Sequence, residues 1–334
     1  MATMSAGRVA HRENEALRIL VTGGAGFIGS HLVERLVRDG HRVSVVDNLD
    51  DFYDRSIKRT NLDDMRGQGA FAFHEADIRD TQALASVFEG ETPEAVVHMA
   101  ARAGVRPSLA DPLLYESINV GGTVNVLELA QRNGVGRVVF ASSSSVYGEN
   151  QKIPFQEDDR TDEPISPYAA TKRAGELLCY TYWKLYGLNV TCIRIFTAHG
   201  PRCRPDLAVP KFVRLIEAGK PIPMYGDGTS RRDYTYVGDT VDGLVRALER
   251  CEGYHIYNLG SGQPVLLTEM IEMVGQAMGT QVRIERLPAQ PGDVPATWAD
   301  ISRARQELGY LPSTPLATGI REYVAWRRRV MSGE

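Results

Sequence analysis

Short apolar runs alternate with helical stretches through the first half of this chain. "LRILVTG" (17–23), "RVSVVDN" (42–48), "AVVHMAA" (95–101) and "RVVFASSS" (137–144) are near-continuous in Val, Ile, Leu and Ala. Between the first two, "GSHLVERLVRDG" (29–40) places Leu32, Val33, Leu36 and Val37 on one helical stripe and stops at Gly40. Later, "VGGTVNVLELAQRNGV" (120–135) reads as a helix with Val124, Leu127 and Ala130 facing inward. Strands that are apolar on both faces and alternate with helices predict a parallel sheet covered on both sides. After Phe196 the pattern loosens, and Pro and Gly become frequent through Gly200–Gly228. We therefore expect an α/β fold: a doubly wound parallel sheet with a smaller mixed α/β lobe. The sheet domain is expected over 17–196 plus about 236–266, the smaller lobe over about 197–235 plus 267–330, and a flexible leader over 1–16.

Composition narrows the function classes. The 334 residues carry a formal net charge of −4, which suggests neither a nucleic acid nor a membrane surface as partner. The four cysteines, at 179, 192, 203 and 251, show no metal or disulfide spacing and fit a reducing cytoplasm. The first residues include Arg8, His11, Arg12 and Glu13 and lack the apolar core of a signal peptide.

Two stretches carry candidate chemistry. In "VTGGAGFIGSH", Gly23, Gly26 and Gly29 follow a predicted strand and open a predicted helix. Close backbone approach and a helix N-terminus together suit a pyrophosphate. Asp47 ends the next strand, where a carboxylate accepts from both ribose hydroxyls and repels a 2′-phosphate, so NAD is expected over NADP. Asp77 and Ile78, in "HEADIRD", end a later strand and either flank the adenine or serve only the fold. The second stretch, "SPYAATKRAGE", puts Tyr168 and Lys172 four apart, one turn apart on one helix face. A neighbouring ammonium favours phenolate and so makes Tyr168 a usable base. "ASSSSVYGE" supplies hydroxyls at a strand's carboxyl end, where open α/β sheets bind ligands.

In these motifs and their order, the sequence resembles the extended short-chain dehydrogenase/reductase family, in its nucleotide-sugar epimerase branch. The resemblance spans roughly 17–330 and rests on "TGGAGFIGSH", "DN" at 47–48, "HMAA" at 98–101, Asn119 with "GGT", "SSSSVYG", "YAATK" and "RRDYTYVGD". It implies bound NAD, often a homodimer, Tyr168 as base, Lys172 on the nicotinamide ribose, and Ser143 on the reacting hydroxyl. It also implies cofactor contacts from Phe27, Ile28, Asn48, Ala100 and Asn119. Substrate contacts are implied from Ser144, Ser145, Thr197, Lys211 and Tyr225, from Arg232 at the diphosphate, and from Asp293 at the nucleotide ribose. "GVRPSL", "RIFTAHGPRCRPDLA" and "QPGDVP" together look like the members that act at C4 of UDP-glucuronate and yield UDP-galacturonate. A sugar carboxylate then needs a cation, with Arg204 the first choice, Arg202 the second, and Arg106 a further candidate. UDP-glucose 4-epimerase and UDP-glucuronate decarboxylase remain alternatives. Ser145 stands where the decarboxylases typically carry Glu.

Overall fold

The computed structural model describes residues 16–288 and 296–332. Its first half runs β1 (Arg18–Thr22), α1 (Phe27–Arg38), β2 (Arg42–Asp47), α2 (Arg55–Gln68), β3 (Ala72–Glu75), α3 (Thr81–Glu91) and β4 (Ala95–His98). There follow α4 (Val105–Ala110), α5 (Pro112–Glu116), a π-turn (Ser117–Gly121), α6 (Gly122–Arg132), β5 (Arg137–Ser143), α7 (Pro167–Tyr186) and β6 (Asn189–Ile195). The remainder is β7 (Thr197–His199), α8 (Ala208–Glu217), β8 (Ile222–Tyr225), β9 (Arg231–Tyr236), α9 (Val237–Glu249), β10 (Tyr254–Leu259), β11 (Pro264–Leu266), α10 (Leu267–Met278), β12 (Ile284–Leu287), β13 (Ala296–Thr297) and α11 (Leu316–Ser332).

The main sheet has the order β3-β2-β1-β4-β5-β6-β10, with every pairing parallel. This is a Rossmann-like α/β fold. Successive strand residues point to opposite faces, so each strand feeds two cores. Val21, Val45, Val97 and Ile193 pack with α1 and α9. Leu20, Val46, Val96 and Cys192 pack with α3, α6 and α7. That is why the strands read as continuous apolar runs rather than alternating ones. On α6 the inward face is Val126, Leu127, Leu129 and Ala130, while Val124 is only half-buried. The buried stripe runs Thr123, Val126, Leu127 and Ala130, so Val124 falls at its edge.

Outside this sheet, β9 is flanked by β11, β13 and β7, and β12 pairs with β8. The chain then returns through α9 to β10 at the main sheet's edge. Strand order reverses between β1 and β4, where ligands of such sheets bind beyond the carboxyl ends. Among the described residues, no helix is long and apolar enough to cross a membrane.

Candidate active site

A cavity of about 450 Å³ opens at those carboxyl ends. Gly23, Gly26, Phe27, Ile28 and Gly29 line its floor. The glycines are required by space. A Cβ on Gly23, at φ +71°, would lie 2.6 Å from the Ala100 nitrogen, and one on Gly29 would lie 2.3 Å from the Gly23 oxygen. No side chain caps α1, so its first-turn N–H groups are left for a ligand. A dinucleotide fits this cradle.

Asp47, Asn48, Asp77, Ile78 and Ala100 line the same cavity. Asp47 is more occupied than the sequence suggests. Its Oδ1 accepts from the Leu49 N–H at 2.9 Å and from Lys58 Nζ at 3.0 Å, and its Oδ2 accepts from the Ala25 N–H at 3.2 Å. A carboxylate offers about four acceptor positions, so roughly one is left for a ribose. Lys58 also offsets the charge expected to repel a 2′-phosphate. Nothing in the α2 pattern marks this lysine as a cavity residue, since its meaning depends on where Asp47 lies. Asp77 binds Arg79 and Asn48, and its carboxyl falls to about 2, chiefly through the Arg79 hydrogen bond.

Asn119 departs from expectation. Its carbonyl accepts from the Arg102 N–H at 2.7 Å, and its amide donates to Arg102 O and to Thr171 Oγ1, each at 3.0 Å. Both amide hydrogens are thereby used, and Asn119 lies behind the cavity wall, bracing the loop after β4 against α7. His98 is likewise structural. Thr123 donates to Asn119 O at 2.6 Å, so its hydroxyl accepts from His98 Nε2–H, and His98 Nδ1 accepts from the Thr22 hydroxyl at 2.7 Å. Burial, aided by the charge of Lys172, pulls this imidazole down to about 3, so it is neutral.

Tyr168 and Lys172 enter the cavity from the first two turns of α7, which Ser166 caps by accepting from the Ala169 N–H at 3.1 Å. Ser143, Ser144 and Ser145 arrive from the end of β5, and Thr197 from β7. Burial raises the Tyr168 phenol, opposed by a hydrogen bond with Ser143 and then by the charge of Arg204. Lys172 stands one turn further along α7. Its ammonium donates to Ala141 O at 2.7 Å, and burial lowers it to about 8. Arg204 is thus a cation near the phenol that the i,i+4 spacing does not reveal.

The arginines of "GPRCRPD" diverge. Arg202, at φ +61°, reaches Glu34 at 2.6 Å and Asp64 at 3.3 Å, tying its loop to α1 and α2. It does not line the cavity. Arg204 does, with Nε and Nη2 held by Asp206 at 3.0 and 2.8 Å. Cys203 between them is buried, as the four cysteines all are. A second cavity of about 400 Å³ is lined by Arg106, Asp206, Lys211, Tyr225 and Arg232, so the Arg204–Asp206 pair stands where the two cavities adjoin. Asp293 lies outside the described residues.

Comparison with known proteins fits this geometry. The family model described as "NAD dependent epimerase/dehydratase family" matches residues 19–260. The chain belongs to that family. Among curated members, the "UDP-glucuronate 4-epimerase" of Thermodesulfobacterium geofontis (strain OPF15) is 44% identical over 310 residues, 92% of this chain and 95% of that protein. The solved structure of UDP-glucuronic acid 4-epimerase from Bacillus cereus, in complex with UDP-glucuronic acid and NAD, is 33% identical. It superposes with a TM-score of 0.88 over 93% of this chain and 99% of its own. The Thermotoga maritima UDP-glucose 4-epimerase with UDP-glucose is also similar: 32% identical, TM-score 0.86, over 94% of this chain and 99% of that one.

Proposed function

We propose that this chain is an NAD-dependent UDP-glucuronate 4-epimerase, interconverting UDP-glucuronate and UDP-galacturonate through a 4-keto sugar. The observation that carries the reading is that one cavity holds Tyr168, Ser143, Lys172 and the Arg204 guanidinium. Similarity over most of the chain to proteins of that name supports it.

NAD, when bound, supplies the acceptor and donor for the hydride at C4. The residues of the chain do the rest. The glycine cradle and the first turn of α1 take the pyrophosphate, and Asp47 takes a ribose hydroxyl. Lys172 keeps two donors beyond the one on Ala141 O, enough for the nicotinamide ribose. Tyr168 Oη removes the C4 hydroxyl proton and later returns one, with Ser143 contacting the same hydroxyl. Ser144, Ser145 and Thr197 flank the sugar. In the second cavity, Arg106, Lys211, Tyr225 and Arg232 take the nucleotide half.

Arg204 takes the C6 carboxylate, contributing about 1.5–3 kcal/mol as a charge-assisted pair. The 4-keto sugar is a β-keto acid, which loses CO2 when the breaking bond aligns with the carbonyl π system. A guanidinium holding the carboxylate off that alignment slows the loss. No acid or base stands at Ser145 to assist decarboxylation.

Two further features belong to the same reading. The chain acts as a cytoplasmic homodimer, and exposed Leu177 and Tyr180 on α7, with Leu109 and Leu113 on the adjoining α4 and α5, supply an apolar surface for the second copy. Sedimentation across a dilution series checks this. The sheet domain takes NAD and the smaller lobe takes the sugar nucleotide, with the boundaries expected from the sequence.

To test the activity, the purified protein is incubated with UDP-glucuronate without added NAD, and the anomeric protons are followed by NMR. Appearance of UDP-galacturonate is expected. UDP-xylose or a 4-keto pentose would replace the reading with decarboxylation. An unchanged spectrum after adding NAD, with UDP-glucose turned over, would replace it with UDP-glucose epimerisation.

A further inference from the structure

The contacts of Arg204 show which part of the guanidinium a ligand can reach. Asp206 takes its side-on edge, Nε at 3.0 Å and Nη2 at 2.8 Å. The guanidinium lies over the Phe52 ring, 5.6 Å from its centroid, and the same ring lies 4.7 Å from Arg102 Cζ. Arg102 pairs with Asp50, and its backbone is held by Asn119 on both N–H and C=O. One edge of Arg204 is therefore held by Asp206, and one face lies against Phe52, which is itself held by the Asp50–Arg102 pair. An arginine has five donors in a planar fork. The contacts with Asp206 use two. Three remain, and two of them, one hydrogen of Nη1 beside one of Nη2, form the end-on edge, which suits bidentate capture of a second planar carboxylate.

We propose that Asp206 is a positioning residue that sets specificity for an acidic sugar, by holding Arg204 so that its end-on edge faces the substrate carboxylate. The proposal rests on the reading of Arg204 as the partner of that carboxylate. It has a physical counter-argument: Asp206 is itself an anion, and if orientation did not matter it would only repel a second carboxylate. The two effects have opposite signs. Orientation predicts that removing the Asp206 charge weakens UDP-glucuronate, whereas repulsion predicts that it tightens it. Orientation prevails if the alternative for Arg204 is to swing away on its flexible stem, losing both the ordering entropy and the fork geometry.

The test uses the holoenzyme and three variants: Asp206→Asn, which keeps the size but loses the charged fork, Arg204→Ala, and the double variant. Dissociation constants of UDP-glucuronate and of UDP are measured by calorimetry, and kcat and KM by coupled assay. With Asp206→Asn we expect UDP-glucuronate to weaken about tenfold, UDP to change less than about twofold, and the loss to appear in KM rather than kcat. In the Arg204→Ala background, adding Asp206→Asn should change nothing further, because a positioning residue has nothing left to position. Tighter or unchanged UDP-glucuronate binding in Asp206→Asn overturns the proposal, as does equal weakening of UDP and UDP-glucuronate. If Arg204→Ala itself weakens both ligands equally, the reading of Arg204 fails, and the proposal fails with it. If Arg204→Ala separates the two ligands and Asp206→Asn does not, only the positioning role is lost.

Discussion

His199, at the end of β7, makes the stability of this protein depend on mildly acidic pH. The ring is buried against Tyr236 and the backbone of Gly319, where even a Cβ would lie 2.3 Å from His199 Cε1. Among the described residues neither ring nitrogen has a hydrogen-bond partner. Burial alone pulls the imidazole from 6.5 to about 4. The unfolded chain therefore takes up a proton that the folded chain refuses across that interval. Stability is fully present above the unfolded value and is lost as pH falls towards the folded one. The linkage relation gives a loss of about 1.4 kcal/mol at about pH 5.5, about 2.6 at about pH 4.5, and a limit of about 3.4. Replacement by Leu, similar in volume and without a proton site, removes this term. Urea unfolding of both proteins is followed by fluorescence and circular dichroism. The His199→Leu variant should gain about 2.6 kcal/mol relative to wild type between about pH 7.5 and about pH 4.5. His98 and the acidic groups titrate in both proteins and cancel in the difference. Parallel stability curves would refute the reasoning and show that the ring finds a partner when it takes up its proton.

Three further outcomes concern the site. Tyr168→Phe should abolish turnover while NAD still co-purifies; more than a few per cent of residual activity would remove Tyr168 as the base. Gly29→Ala forces α1 away from the Gly23 carbonyl, and NAD content by absorbance and mass should fall, with affinity lowered about 10- to 100-fold for one or two lost backbone contacts; unchanged content would mean the pyrophosphate lies elsewhere. Arg202→Ala should lower stability by on the order of 3 kcal/mol, by leaving Glu34 unpaired in a partly buried site, without changing the ratio of UDP-glucuronate to UDP affinity; a changed ratio would return Arg202 to the carboxylate site.

Residues whose meaning is local are legible in the sequence. The glycine turn is a strand–turn–helix in which backbone sterics exclude a Cβ, and the pattern shows in the run "VTGGAGFIGSH". Tyr168 and Lys172 share a helix face because the helix period dictates it. The apolar runs predict the parallel sheet because both faces of each strand are buried. Residues whose meaning is a partner far along the chain are not legible. Arg202 and Arg204 are two apart and chemically identical, yet one bonds α1 and α2 and the other lines the cavity. Arg202 stands at φ +61° in its loop, and its partner Glu34 lies 168 residues away. Lys58 matters because β2 and α2 bring it to Asp47, and Asn119 braces a loop because the π-turn aims its amide there. Lys172 also donates to a carbonyl at the end of β5, a contact that its spacing from Tyr168 does not reveal. Periodicity and turn chemistry are properties of neighbouring residues, so the sequence by itself determined the glycine turn and the shared helix face of Tyr168 and Lys172. Charge partners are selected by packing, and only the tertiary structure decided which arginine lines the cavity.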